Sequence, residues 1–185
     1  MPHPLVLVCI TGPESTGKTA LAQHLAEWLN TEWVPEASRA YAERKGSELL
    51  ASDVSPIART HIELADAAVD RVRARGATAL VLDTDLISTV VYARHYYGAV
   101  PAWIVRAQRE RGADLYLLCD VDVPWVPDGV RDRPQTRAAM FELFRRGLAA
   151  RDAKRVIIRG DWATRWERAR DAVASLGVGR SRMER

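Results

Sequence analysis

Five short apolar runs recur along the chain, separated by stretches with helical spacing. The first covers residues 5–10 (Leu-Val-Leu-Val-Cys-Ile), and a helix is predicted from Lys18, with Leu21, Leu25, Trp28 and Leu29 on one face. Residues 31–36 form a shorter second strand, which Pro35 assigns to a sheet edge or strand end. Residues 39–45 read as a short helix stopped by Gly46. Ser55 and Pro56 predict a cap and first position for a longer one, lined by Ile57, His61, Leu64, Ala68 and Val72 and ended by Gly76. Residues 79–82 are an unbroken apolar third strand followed by Asp83-Thr84-Asp85, and the aromatic and basic segment 90–98 is ambiguous. A helix over 101–111, a fourth strand over 114–120, a loop over 124–134 and a helix over 135–151 follow, the last with Met140, Phe144 and Leu148 in register. Residues 155–159 are the fifth strand. Asp161 caps a final helix whose inner face is expected to carry Trp162, Trp166, Ala169, Val173 and Leu176.

Strands alternating with helices predict an α/β fold with a mostly parallel five-stranded sheet covered on both faces. One domain over residues 1–176 is expected, with a lid at about 124–151 and a basic tail over 177–185. Ligands of such sheets bind beyond the carboxyl ends of the strands. Those ends are the loop from Gly12, Glu36, Asp83 with Asp85, Asp120 with the loop after it, and Gly160 with Asp161.

The loop from Gly12 carries the strongest signal. Gly12-Pro13-Glu14-Ser15-Thr16-Gly17-Lys18-Thr19 follows a strand and opens a helix, the context that the Walker A phosphate-binding loop of P-loop NTPases requires. Its glycines let amide hydrogens point at phosphate oxygens, and the helix adds about half an elementary positive charge at its start. Lys18 is expected on the β- and γ-phosphates of ATP and Thr19 on magnesium. Asp83, ending the most apolar strand, is the expected second magnesium residue. Asp85 has three open roles: orienting the acceptor, acting as base, or capping the next helix.

Composition narrows the class without adding chemistry. Of 185 residues 28% are charged, and the net charge of +3 is scattered along helices, so a phosphate-rich small ligand fits and a nucleic-acid partner is not expected. Cys9 and Cys119 lie inside apolar runs and read as small buried hydrophobes of a reducing compartment. The chain passes from Met1 into its first strand without the pattern of a secretory leader, and no apolar run reaches the length of a membrane span, so a cytoplasmic location is expected. Oligomeric state is not encoded.

Two further clusters are candidates. Glu36, Arg39 and Tyr41 could accept a proton from an incoming hydroxyl and contact a phosphate or sugar, or form only a solvated pair at a helix start. Arg131 and Arg133, with Arg137 beyond, lie in a Gly/Pro-bounded loop that is either a lid closing over phosphates or a solvated charge run. Trp33, Trp125, Tyr92, Tyr96 and Tyr97 offer stacking surfaces, and Asp161 with Trp162 sit where a nucleotide base could rest. A regulatory ATPase remains the alternative of a different class, distinguished by the lack of an acceptor pocket.

Residues 10–19, 33–41, 82–89 and 125–131, taken in order, resemble the ribosylnicotinamide kinase domain of NadR-type proteins. The resemblance implies a nucleoside-kinase-like fold and ATP- and magnesium-dependent phosphorylation of the 5′-hydroxyl of nicotinamide riboside. It implies ATP and magnesium on Lys18 and Thr19, Glu36 or Asp85 at the acceptor ribose, and Arg131 and Arg133 as lid arginines. Pro35 and Ala37 flank Glu36 where the resembling kinases carry aromatics, so the nicotinamide ring is expected on Trp33, Tyr92 or Tyr96. No His-x-Gly-His adenylyltransferase motif is present, and that activity is not expected of this chain. Another nucleoside or nucleotide acceptor is the alternative on the same machinery.

Overall fold

The computed structural model describes residues 5–125 and 134–178. Strands β1 (Val6–Thr11), β2 (Trp33–Val34), β3 (Ala79–Asp83), β4 (Leu115–Cys119) and β5 (Arg155–Ile158) form one sheet of order β2-β3-β1-β4-β5. Every pairing is parallel. The helices are α1 (Lys18–Trp28), α2 (Ala37–Lys45), α3 (Val54–Ala74), α4 (Leu86–Tyr97), α5 (Ala102–Glu110), α6 (Arg137–Ala149) and α7 (Trp162–Ala174).

The apolar strands are buried on both faces, as parallel sheets require. On one face Val8, Ile10, Val81, Leu115 and Leu117 pack against Leu21 and Leu25 of α1 and Ala169 and Val173 of α7. On the other, Cys9, Leu80, Leu82, Tyr116 and Leu118 meet Ala68 and Val72 of α3, Ile87 and Val91 of α4, and Met140, Phe144 and Leu148 of α6. A third cluster docks Ile104 of α5 on α3 and α4. Cys9 and Cys119 are free and fully buried, and burial pushes both thiols up, Cys119 to about 11, so they act as small hydrophobes.

Several boundaries differ from the sequence pattern. The second strand has only two residues, because Pro35 ends it at the sheet edge. Helix α3 starts at Val54 out of a 3-10 turn (Ala51–Asp53), so Ser55 is inside it rather than its cap. Pro56 is tolerated because first-turn amides have no helical partner. The ambiguous segment 90–98 is the body of α4, which Asp85 caps by accepting from the Ile87 amide and Gly98 ends at φ +72°. Trp162 is 45% exposed instead of core, since the inner face of α7 runs through Arg165, Ala169 and Val173. Arg131 and Arg133 lie outside the described residues, as does most of the tail.

Candidate active site

The phosphate-type loop is shaped by its own backbone. Gly12 adopts φ +130°, and a Cβ there would come within 2.7 Å of the Cys119 carbonyl oxygen, so β4 admits no side chain at this position. Gly17, at φ +79°, turns the chain into α1, whose first turn no side chain caps. Asp85 and Asp161 cap α4 and α7, while α2, α3 and α5 also start without a side-chain cap, so what sets α1 apart is the glycine turn behind its bare start. An uncapped helix start behind a glycine turn is an anion site. Lys18 is 7% exposed and folded over the loop, donating to the Pro13 carbonyl at 2.6 Å, and the Thr16 hydroxyl donates to the same oxygen at 2.9 Å.

The parallel pairing of β1 with β3 brings Thr19 and Asp83 together. The Thr19 hydroxyl donates to Asp83 Oδ2 at 2.6 Å. Asp83 is 1% exposed, and its Oδ1 has no hydrogen-bond partner among the described residues. Burial, then the charge of Glu36, pushes its carboxyl up to about 6, against the pull of Lys18 and the Thr19 hydroxyl. A desolvated carboxylate with an unspent oxygen beside a hydroxyl fits a hard divalent cation. No trio of His, Cys, Asp and Glu is gathered for a metal among the described residues, so this corner suits an ion that keeps water and ligand phosphates as its other partners.

Thr84 follows at φ +69°, a left-handed conformation that strains a β-branched residue and that the sequence did not announce. It separates two aspartates with different partners. Asp85 spends one oxygen on the Ile87 amide at 2.8 Å and the other on the Tyr116 hydroxyl at 2.6 Å, while Arg151 donates to that hydroxyl at 3.3 Å. Burial and the Asp85 charge push the Tyr116 phenol far up, so it stays a donor.

Beyond Asp85 opens a cavity of about 840 Å³ between α2, α3 and α4. Thr84, Asp85, Ser88, His61, Tyr92, Tyr96 and Tyr97 are among its walls. The Tyr92 and Tyr96 rings lie 5.9 Å apart and within 12° of parallel. His61 is held below its ordinary range by burial, so it lines the cavity as a neutral ring. The Tyr97 hydroxyl donates to the Leu49 carbonyl, which fixes the rim over 46–50.

The remaining candidates separate. Glu36 is 8% exposed at the start of α2 and accepts from the Ser38 hydroxyl at 2.5 Å; its charge is felt at Asp83. Arg39 is exposed, and the Tyr41 hydroxyl donates to Asp53 at 3.1 Å rather than facing the cavity. Trp33 packs into the cluster under α1, on the other side of the sheet from the tyrosines, and is not a cavity wall. Asp161 accepts from the Thr164 amide at 2.8 Å, and Trp162 meets His24 edge-on at 6.1 Å between centroids.

Two buried arginines have a role the sequence pattern does not show: Arg165 carries no motif of a site, and Arg137 reads only as the residue beyond the lid arginines. Arg165, 3% exposed, donates to the carbonyls of Thr16 (3.1 Å), Asp120 (3.0 Å) and Gly160 (2.9 Å) and pairs with Asp122. Arg137, 7% exposed, donates to the carbonyls of Ser15 at 3.0 Å and Val123 at 3.2 Å. Each holds the phosphate-type loop from outside. The available signal was a charge at an apolar register position, 165 before 169 and 173, and 137 before 140 and 144. Arg165→Ala strands three carbonyls and a carboxylate, and should destabilise the protein by about 2 to 4 kcal/mol. A urea midpoint that does not move would contradict this role.

Comparison with known proteins agrees with this geometry. The family model described as "AAA domain" matches residues 7–165. The trifunctional NAD biosynthesis/regulator protein NadR of Escherichia coli (strain K12) is 32% identical over 147 residues, covering 74% of this chain and 35% of that protein. Its namesake from Salmonella typhimurium is 32% identical over 128 residues, covering 67% and 30%. The chain thus spans about a third of the length of these curated relatives. Among solved structures, a NadR protein in complex with NR matches with TM-score 0.75 and 25% identity, over 98% of this chain and 51% of that one. A NadR protein in complex with NAD and AMP-PNP matches with TM-score 0.72 at the same identity and coverage. Thymidylate kinase from Ehrlichia chaffeensis shares the fold, with TM-score 0.64 and 14% identity over 91% of this chain and 98% of that one. Among the described residues no helix is long and apolar enough to cross a membrane. With a matched model over most of its length and a phosphate-type loop at the expected strand end, the chain belongs to the AAA domain family of P-loop proteins and is similar to the NadR proteins.

Proposed function

We propose that this chain is a kinase that transfers the γ-phosphoryl group of ATP to the 5′-hydroxyl of nicotinamide riboside, giving nicotinamide mononucleotide and ADP. The observation that carries the reading is the meeting of two half-sites at the ends of β1 and β3. An uncapped phosphate loop with the Thr19–Asp83 pair stands on one side, and a tyrosine-lined cavity with a buried carboxylate at its mouth on the other. A regulatory ATPase has no use for the second half. The likeness to NadR proteins solved with NR and with AMP-PNP supports the same choice of ligands.

Lys18 exchanges the Pro13 carbonyl for the β- and γ-phosphate oxygens, and the loop amides hold the rest of the triphosphate. Thr19 and Asp83 would hold magnesium, which supplies positive charge against the phosphates. Glu36 accepts the proton of the 5′-hydroxyl as its oxygen bonds to phosphorus and the bond to the β,γ-bridging oxygen breaks. Asp85 has both oxygens committed to the Ile87 amide and the Tyr116 hydroxyl, so we assign it to shaping the acceptor wall instead. Tyr92 and Tyr96 present ring faces to the nicotinamide ring, whose positive charge suits them. On the same reading, Arg131 and Arg133 are lid arginines that compensate charge during transfer.

Titration calorimetry tests the ligand assignment: nicotinamide riboside should bind in preference to ordinary nucleosides, and equal or absent binding would count against it. Glu36→Gln should lower kcat by roughly 100-fold or more, with binding of a non-hydrolysable ATP analogue little changed. Wild-type turnover in that variant would mean that Glu36 only braces Ser38 and α2.

A further inference from the structure

Three buried side-chain atoms lack a hydrogen-bond partner among the described residues: Asp83 Oδ1, Arg137 Nε and Glu14 Oε1. The first belongs to the cation corner, and the second to an arginine whose other nitrogens grip the loop. Glu14 is the one without a task.

Glu14 lies inside the phosphate-type loop and is 4% exposed. A carboxylate only accepts hydrogen bonds and repels phosphate oxygens, so it cannot serve the triphosphate that the rest of the loop is built to bind. Its second oxygen shows the direction in which it works. Glu14 Oε2 accepts from the Tyr92 hydroxyl at 3.2 Å, and Tyr92 is a wall of the cavity assigned above to the acceptor. The acid is therefore tied to the acceptor side, with an unspent acceptor atom whose burial is costly until a donor reaches it.

An acceptor nucleoside must bring its 5′-oxygen to the end of the loop. The donors fixed nearest to that oxygen by the furanose ring are the secondary hydroxyls of the sugar. We infer that Glu14 is a specificity-determining residue that selects a ribosyl acceptor, its Oε1 accepting a hydrogen bond from the 2′- or 3′-hydroxyl. This rests on the kinase reading above. It predicts that a sugar lacking that hydroxyl leaves the carboxylate oxygen buried and unpaired, the situation in which sites discriminate most strongly.

The test compares kcat/KM for nicotinamide riboside with that for its 2′-deoxy and 3′-deoxy analogues in each protein, so that any change in the ATP half-site cancels. Wild type should favour the riboside over at least one analogue by about 10- to 100-fold. Glu14→Gln, which keeps shape but loses charge, should cut that ratio severalfold, and Glu14→Ala should bring it near unity. Wild type that accepts both deoxy analogues as well as the riboside overturns the inference whether or not the variants fold, and so does full discrimination in Glu14→Ala. Turnover of another ribonucleoside but not of nicotinamide riboside would overturn the substrate reading alone, and the same ratio on that nucleoside would still decide Glu14. If no ribosyl acceptor is turned over, both fall.

Discussion

Lys18→Ala is expected to lower kcat/KM for phosphoryl transfer by about 100- to 1,000-fold, the usual loss when one preorganised donor to developing charge is removed. The side chain starts only 2.6 Å from the Pro13 carbonyl and is nearly sealed from water, so it needs no solvent reorganisation to change partners. Losing it removes the one side-chain cation that the loop itself offers the β- and γ-phosphates. The fold should survive, because the carbonyl that Lys18 leaves still accepts from the Thr16 hydroxyl. Steady-state kinetics at saturating ATP, with a thermal midpoint as control, checks this. Undiminished turnover would remove Lys18 from the reaction.

Asp83→Asn should move activity and stability in opposite directions. Activity should fall by roughly 100-fold or more at fixed magnesium, because the corner loses the one ionised oxygen pair offered to a cation. The ligand-free protein should become more stable at pH 7, by about 1 to 3 kcal/mol, because the wild type keeps a desolvated carboxylate there with a carboxyl raised to about 6. A raised carboxyl contributes stability fully below the ordinary carboxylate range and loses it as pH rises through about 6. The stability advantage of the variant should therefore open between those limits and stay level above them. For the same reason protons should compete with magnesium in the wild type, and the metal requirement should climb as pH falls below about 6. A variant with an unchanged magnesium titration, or one less stable than wild type at pH 7, would contradict the assignment. Trading stability for a charged corner is a common property of functional sites.

Legibility of the chain followed the reach of each interaction. The third and fourth strands read directly, because strands buried on both faces must be apolar throughout, whereas the edge strand expected over 31–36 shrank to two residues. The loop and its helix also read directly, since their contacts run between neighbours in sequence. Helix α4 did not: Leu86, Ile87, Ser88, Val90, Val91 and Ala93 are all buried, which erases the one-sided pattern that announces a helix. Only its cap, Asp85, was visible, and only as one of three roles. The bracing role of Arg165 and Arg137 escaped for the opposite reason. Arg165 reaches Thr16 across 149 positions and Arg137 reaches Ser15 across 122, and their targets are carbonyls, which every residue possesses. Trp33 and Trp162 show the same limit for aromatics, since spacing gives a face but not which neighbour covers it; one packs under α1 and the other stays exposed.

The division of labour among the acidic residues is what folding adds to the motif. Four carboxylates, Glu14, Glu36, Asp83 and Asp85, are buried around the ends of β1, β2 and β3, with different partners. Asp83 faces the Thr19 hydroxyl, Asp85 is tied between an amide and a phenol, Glu14 answers to Tyr92, and Glu36 sits at the head of α2 beside Ser38. Four buried acids beside a phosphate-type loop would repel an incoming triphosphate if all faced it. On the proposed reading they turn to a cation, a structural cap and an acceptor hydroxyl, and are then compatible with it.

The most direct measurement is transfer of label from ATP carrying a labelled γ-phosphate, with nicotinamide riboside as acceptor and mass identification of the product. The expected result is labelled nicotinamide mononucleotide formed in step with ADP, strictly dependent on the riboside. ADP released without any acceptor, or label recovered only on another nucleoside, would contradict it.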